Sequence, residues 1–162
     1  MTIQKTTTFR ANKQTLPLWQ RLFELTAVPQ GNVQQADAFV LLGFGHREME
    51  NGRLQPGSSN LATARWLLRH NHLRKLTITQ EGTYQALKTL EQEYPNLRID
   101  DWAINLPHSN RVYIDTHGVA LQSWLIFQKH NVRRPCLVSH TSHLNRSRMI
   151  FEKLPLDEVI VP

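Results

Sequence analysis

The feature that most constrains this chain is "ADAFVLLG", residues 36–43, a near-continuous apolar run of strand length that ends in glycine. A strand with one wet face would alternate polar and apolar residues. A run apolar at nearly every position needs both faces covered, as in a parallel sheet sandwiched by helices. The rest of the chain supplies what such a sheet requires. Phe44 to Asn60 is polar and turn-rich, and Pro56-Gly57 precede three good N-cap residues, Ser58, Ser59 and Asn60. Leu61, Ala64, Arg65 and Leu68 then fall on one helical stripe. "KLTITQ" (75–80) reads as a second strand. Gly82 and Thr83 open a helix with Leu87, Leu90 and Tyr94 facing inward, stopped by Pro95.

A third strand is expected within Leu97 to Leu106, then a helix from about Asp115 to His130 carrying Ala120, Trp124 and Phe127. Pro135 to Ser139 reads as a fourth strand and Ser142 to Leu154 as a further helix, with "EVIVP" as a short last strand. Strands alternating with helices imply right-handed βαβ crossovers. The expected class is α/β, a Rossmann-like three-layer fold with a mostly parallel sheet flanked by helices.

At 162 residues the chain is one domain long, without repeats, low-complexity tracts or linkers. Residues 1–35 are expected to form a polar segment and an amphipathic helix, with Trp19, Leu22, Phe23 and Thr26 at helical spacing, packed on a body spanning 36–162. The first 20 residues lack a signal-peptide core, and no stretch has the roughly 20 apolar residues of a membrane span. The one cysteine, Cys136, sits in an apolar run and reads as a buried thiol in a reducing compartment. Together these give the expectation of a cytoplasmic protein. Nineteen Lys and Arg against thirteen Asp and Glu give a net charge of +6, which favours an anionic partner. The basic residues are scattered. Arg65, Trp66, Arg69 and Arg74 gather on one helix and its exit, but no nucleic-acid motif accompanies them, so nucleic acid is the weakest reading and Trp66 is expected to be a packed aromatic.

In an open parallel sheet, ligands bind beyond the carboxyl ends of the strands, beside the point where strand order reverses. The strand exits here carry Gly43, Gly45, His46, Arg47 and Glu48; then Thr79, Gln80, Glu81 and Gly82; then Asp115, Thr116 and His117; then Ser139, His140, Ser142, His143 and Arg146. "GFG" would let backbone approach a ligand, although it is not the dinucleotide fingerprint. With the last helix starting near Ser142, His143 and Arg146 would crowd its first turn, where cations are disfavoured and a bound anion would relieve them. His143 or His46 is the candidate general acid/base. A metal held by His140, His143 and His46 or Asp115 lacks the zinc-protease spacing, so no metal site is assigned. No nucleophile elbow surrounds Ser139.

"DAFVLLG", "NGRLQPGSSNLATARWLL" and "VSHTSHLNRSRMIFEKL" together resemble the bacterial domain-of-unknown-function family that includes YdcF, SanA and ElyC. Ser139, His143 and Arg146 stand on the matching positions of its last motif, and the resemblance covers about residues 36 to 162. It implies a Rossmann-like fold with a pocket at the strand ends. It also implies envelope-associated roles for membrane-anchored members and nucleotide-like ligands, S-adenosylmethionine among them, for soluble ones. In "YIDTHGVA" the chain keeps Thr116 and Ala120 but has Gly118 and Val119 where the family carries an acidic and an amide residue. Either the activity of relatives is lost, or Asp115 and His117 replace that pair. Enzyme and non-catalytic ligand sensor both remain open on the sequence, as do the substrate and the oligomeric state.

Overall fold

The structure is a computed structural model and describes residues 29–44, 46–48, 54–106 and 115–162. The helix expected before residue 28 lies outside the described residues. Four parallel strands form the sheet: β1 (Ala38–Leu41), β4 (Thr77–Gln80), β5 (Ala103–Leu106) and β6 (Pro135–Val138), in the order β5-β4-β1-β6. Between β1 and β4 a short antiparallel hairpin pairs β2 (His46–Glu48) with β3 (Leu54–Pro56). Helices α1 (Ser58–His70) and α2 (Glu81–Glu93) cover one face, α3 (Thr116–His130) and α4 (Thr141–Phe151) the other. This is an α/β three-layer, Rossmann-like fold.

The continuous apolar run of β1 is explained by these two layers. Ala38, Val40 and Leu42 pack with Val119, Phe127, Leu144 and Phe151, while Phe39 and Leu41 pack with Ala64, Leu67, Leu87 and Leu90. Phe39, Phe127 and Phe151 are fully buried, each contributing about 1.5 to 3 kcal/mol by leaving water. Beyond β6, Ile160 bridges Cys136 in parallel, and Val161 pairs antiparallel with Gln30, so "EVIVP" does extend the sheet. Chain order adds β4 and β5 on one side of β1 and then returns to place β6 on the other. The reversal therefore falls between β1 and β6, and their carboxyl ends define the crevice.

Several local expectations are corrected. The sheet-facing positions of α1 are Asn60, Thr63, Ala64 and Leu67, whereas Arg65 is exposed and Leu61 and Leu68 are half-buried. Polar residues occupy part of the inward face there, so an apolar stripe alone misplaces it. Gly57, not a serine or asparagine, is the N-cap of α1. Tyr94 sits past the last turn of α2 and is 59% exposed. The third strand is only Ala103–Leu106. It follows two short 3-10 turns held to α2 by Asp100 on Tyr84 and Lys88, and by the Ile99 N–H donating to Glu91 Oε1 at 2.6 Å. No helix among the described residues is long and apolar enough to cross a membrane.

Candidate functional site

At the exit of β1 the backbone is held by side chains from β4, α1, α2 and the β6–α4 junction. Gly43 N–H donates to Gln80 Oε1 at 2.7 Å, and Phe44 N–H donates to Asn60 Oδ1 at 2.8 Å. Both acceptor residues are buried. The Thr83 hydroxyl lies 3.1 Å from the Leu41 carbonyl oxygen and 2.8 Å from that of Gln80, and Ser139 Oγ donates to the Leu42 carbonyl at 3.3 Å. The loop is thus built on a buried polar scaffold, which fixes what it presents. Gly43 has neither a positive φ nor a clash, since a Cβ there would meet Gln80 at 3.6 Å, an ordinary contact. Its part in the site is its N–H rather than the close approach that the "GFG" pattern suggests.

Phe44 stacks on His140, with ring centroids 4.7 Å apart and planes at 15°. His140 is the N-cap of α4: its Nδ1 accepts from Ser142 N–H at 3.4 Å and lies 2.7 Å from Ser142 Oγ. His143, in the first turn of α4, places Nε2 3.3 Å from Thr116 Oγ1 at the start of α3, while its Nδ1 is buried without a partner among the described residues. Burial first, then the neighbouring Arg146 and His140, hold the His143 pKa below its ordinary value, which favours the neutral ring. An unsatisfied buried nitrogen costs about 1 to 3 kcal/mol, so a water, a ligand or a catalytic role is called for at that position. Asn105 Oδ1, near the end of β5, likewise has no partner among the described residues, while the Asn105 amide donates to Glu81 Oε2 at 2.6 Å.

Beside this cluster, a cavity of about 560 Å³ opens between the amino termini of α1 and α4 at the end of β6. Ser58, Ser59 and Thr63 line it from α1, and Ser139, His140 and Thr141 from the β6–α4 junction. Trp66, Val138, Leu144 and Pro162 form its apolar wall. It lies at the end of β6, beside the reversal of strand order, where open α/β sheets bind ligands.

The residues singled out from the sequence are distributed unevenly around these features. Thr116, Ser139, His140, Ser142 and His143 come together at the β1 and β6 exits, and Gly82 is buried in the first turn of α2, next to Gln80. Thr79 is not on the rim; it is fully buried in the sheet, and its hydroxyl donates to the Ile104 carbonyl at 3.2 Å. Asp115 caps α3 by accepting from Gly118 N–H at 2.8 Å, and His117 is exposed. Arg146 lies in the second turn of α4, beyond the reach of the helix-start penalty. It is exposed and makes no hydrogen bond or ion pair among the described residues. His46 and Arg47 are placed by backbone only, in β2, and Gly45 lies outside the described residues.

Sequence reasoning missed the structural work of Asn60, Phe44 and Thr63. The available signal was a polar residue at an inward position of α1. Trp66 is indeed packed, edge-on to Phe39 and stacked on His70 at 4.0 Å. Cys136 is buried, and its thiol is pushed up to about 12 by burial. Among the described residues no three His, Cys, Asp or Glu side chains gather closely enough to hold a metal ion. Comparison of the chain with protein-family models, curated proteins and solved structures finds no match.

Proposed function

We propose that this protein binds a small anionic, nucleotide-like ligand at the carboxyl edge of its parallel sheet, and that His143 acts there as acid/base in a hydrolase or transferase reaction. The observation that carries the reading is the cavity of about 560 Å³ at the β6 exit, bounded by two helix amino termini and adjoining the turn that carries His143. His46, carried on the hairpin after β1, is the second candidate for proton transfer. Kinship with the YdcF-like family is part of the proposal, supported by Ser139 at the exit of β6, where it donates to the Leu42 carbonyl, and by His143 in the first turn of the helix that follows. A reducing, cytoplasmic setting suits the buried Cys136.

A second reading, a ligand-binding sensor without chemistry, is favoured by two side chains at the start of α3. Val119, at the family's amide position, is fully buried in the core, and the Asp115 carboxylate serves as a cap. Native mass spectrometry of the purified protein tests the shared claim: a co-purifying small molecule is expected. A thermal-shift panel of nucleotides, S-adenosylmethionine and sugar phosphates then names its class. A bare mass together with a silent panel would overturn both readings. Turnover abolished in His143→Ala with binding retained separates enzyme from sensor.

A further inference from the structure

We infer that the cavity between α1 and α4 seats a phosphomonoester, its phosphate at the two helix starts and a flat apolar body such as a nucleoside against Trp66. The inference rests on the ligand-binding reading above and gives its substrate class. Helices α1 and α4, of 13 and 11 residues, both begin at this cavity, with no acidic residue in either first turn and no side-chain cap on α1. Their amide groups carry partial positive charge toward whatever occupies the space.

Thr63 points independently to a polar occupant. It is 8% exposed and lines the cavity, and its hydroxyl makes no hydrogen bond to any described residue. A threonine so placed in a helix can return its hydroxyl to the backbone, as Thr89 does to Gln85 at 2.9 Å. Thr63 does not, so its hydroxyl is left to bond an occupant of the cavity.

The charge balance then selects among phosphates. Among the described residues no Lys, Arg, Asp or Glu side chain lines the cavity, so the positive potential they supply comes from the helix starts, about half a charge each. Roughly one unit in total suits a single phosphate, whereas a di- or triphosphate would require Lys, Arg or a cation. The other wall is apolar and rigid, because Trp66 is held between the edge contact to Phe39 and the stack on His70. The volume falls within the range of about 300 to 1,000 Å³ usual for small-ligand pockets.

Calorimetric titration of the full chain with adenosine 5′-monophosphate, adenosine, adenosine 5′-triphosphate and inorganic phosphate tests this. The monophosphate is expected to bind at least tenfold more tightly than adenosine or the triphosphate. Thr63→Val keeps the side-chain shape, and it should weaken the monophosphate tenfold or more while leaving the unfolding midpoint and adenosine binding unchanged. Equal affinity for monophosphate and adenosine, or an unaltered Thr63→Val variant, overturns the assignment. If His143→Ala loses the monophosphate while Thr63→Val keeps it, the ligand-binding reading stands and the cavity assignment falls. If no adenosine probe binds but the wider panel finds another ligand, the substrate class alone is wrong.

Discussion

Replacing Asn60 by alanine is the sharpest test of how the site is held. Asn60 is fully buried, and its Oδ1 is the acceptor for Phe44 N–H at 2.8 Å, across 16 residues of chain. The variant leaves that N–H without its acceptor, at a cost of about 1 to 3 kcal/mol, with the lower half favoured because Phe44 is 43% exposed and water can reach it. The amide also leaves a void of roughly 30 Å³, worth about 0.7 kcal/mol at about 24 cal/mol per Å³. The expected loss is therefore about 1.5 to 3 kcal/mol, or a melting temperature lower by roughly 3 to 12 °C for a chain of this length. Urea unfolding gives the free energy, and proton NMR of His140 reports whether its stack with Phe44 loosens. A loss under about 0.5 kcal/mol with an unmoved His140 resonance would refute the claim that a buried amide anchors the β1 exit.

Three further outcomes are expected. Because the native His143 pKa is depressed, the unfolded chain takes up that proton first as pH falls below about 6.5; stability should decline on acidification from pH 7 to 5, and His143→Gln should flatten part of that slope in urea midpoints. The Cys136 thiol, pushed up to about 12, should resist a thiol reagent at pH 8 until the protein unfolds, and because the unfolded thiol ionises from about pH 8.5, stability should fall as pH rises beyond that; rapid labelling of native protein would contradict its burial. Arg146→Ala, which removes an exposed cation, should weaken an anionic ligand by at most about fivefold in a titration, and should raise the His143 pKa followed by NMR; a pKa that stays put would show that Arg146 does not act on that ring.

What was legible in the sequence followed from local patterns. The apolar runs at Ala38–Leu41 and Pro135–Val138 revealed strands covered on both faces, and the Asp115 to His130 spacing gave α3 with its cap within one residue. The site was less legible because its supports act across the chain. Asn60 looks like an N-cap by composition, yet its side chain is drawn inward to serve Phe44, and Gln80 serves Gly43 across 37 residues. No local periodicity encodes such bonds. Thr79 was misread for the same reason, since its polarity suggested the rim while its hydroxyl is spent inside the sheet on β5. Arg146 was misplaced by register: with the helix starting at Thr141 rather than near Ser142, it sits further from the helix start than expected.

These supports also explain why the two halves of the candidate site should not behave independently. Asn60 holds Phe44, Phe44 stacks on His140, His140 caps α4 through Ser142, and the same helix turn carries His143 to Thr116 at the start of α3. His140 and Ser139 also line the cavity, so an occupant there touches the middle of this sequence of contacts. Residues in one hydrogen-bonded and packed network show interaction energies of about 0.5 to 3 kcal/mol rather than simple additivity. An occupant that shifts His140 therefore acts on Phe44 in one direction and on the first turn of α4, hence the partnering of His143, in the other. Under the proposed reading, coupling between ligand seating and proton transfer would run through this one aromatic stack, in which Phe44 is the only large apolar side chain among the described residues left substantially exposed at the carboxyl ends of the strands.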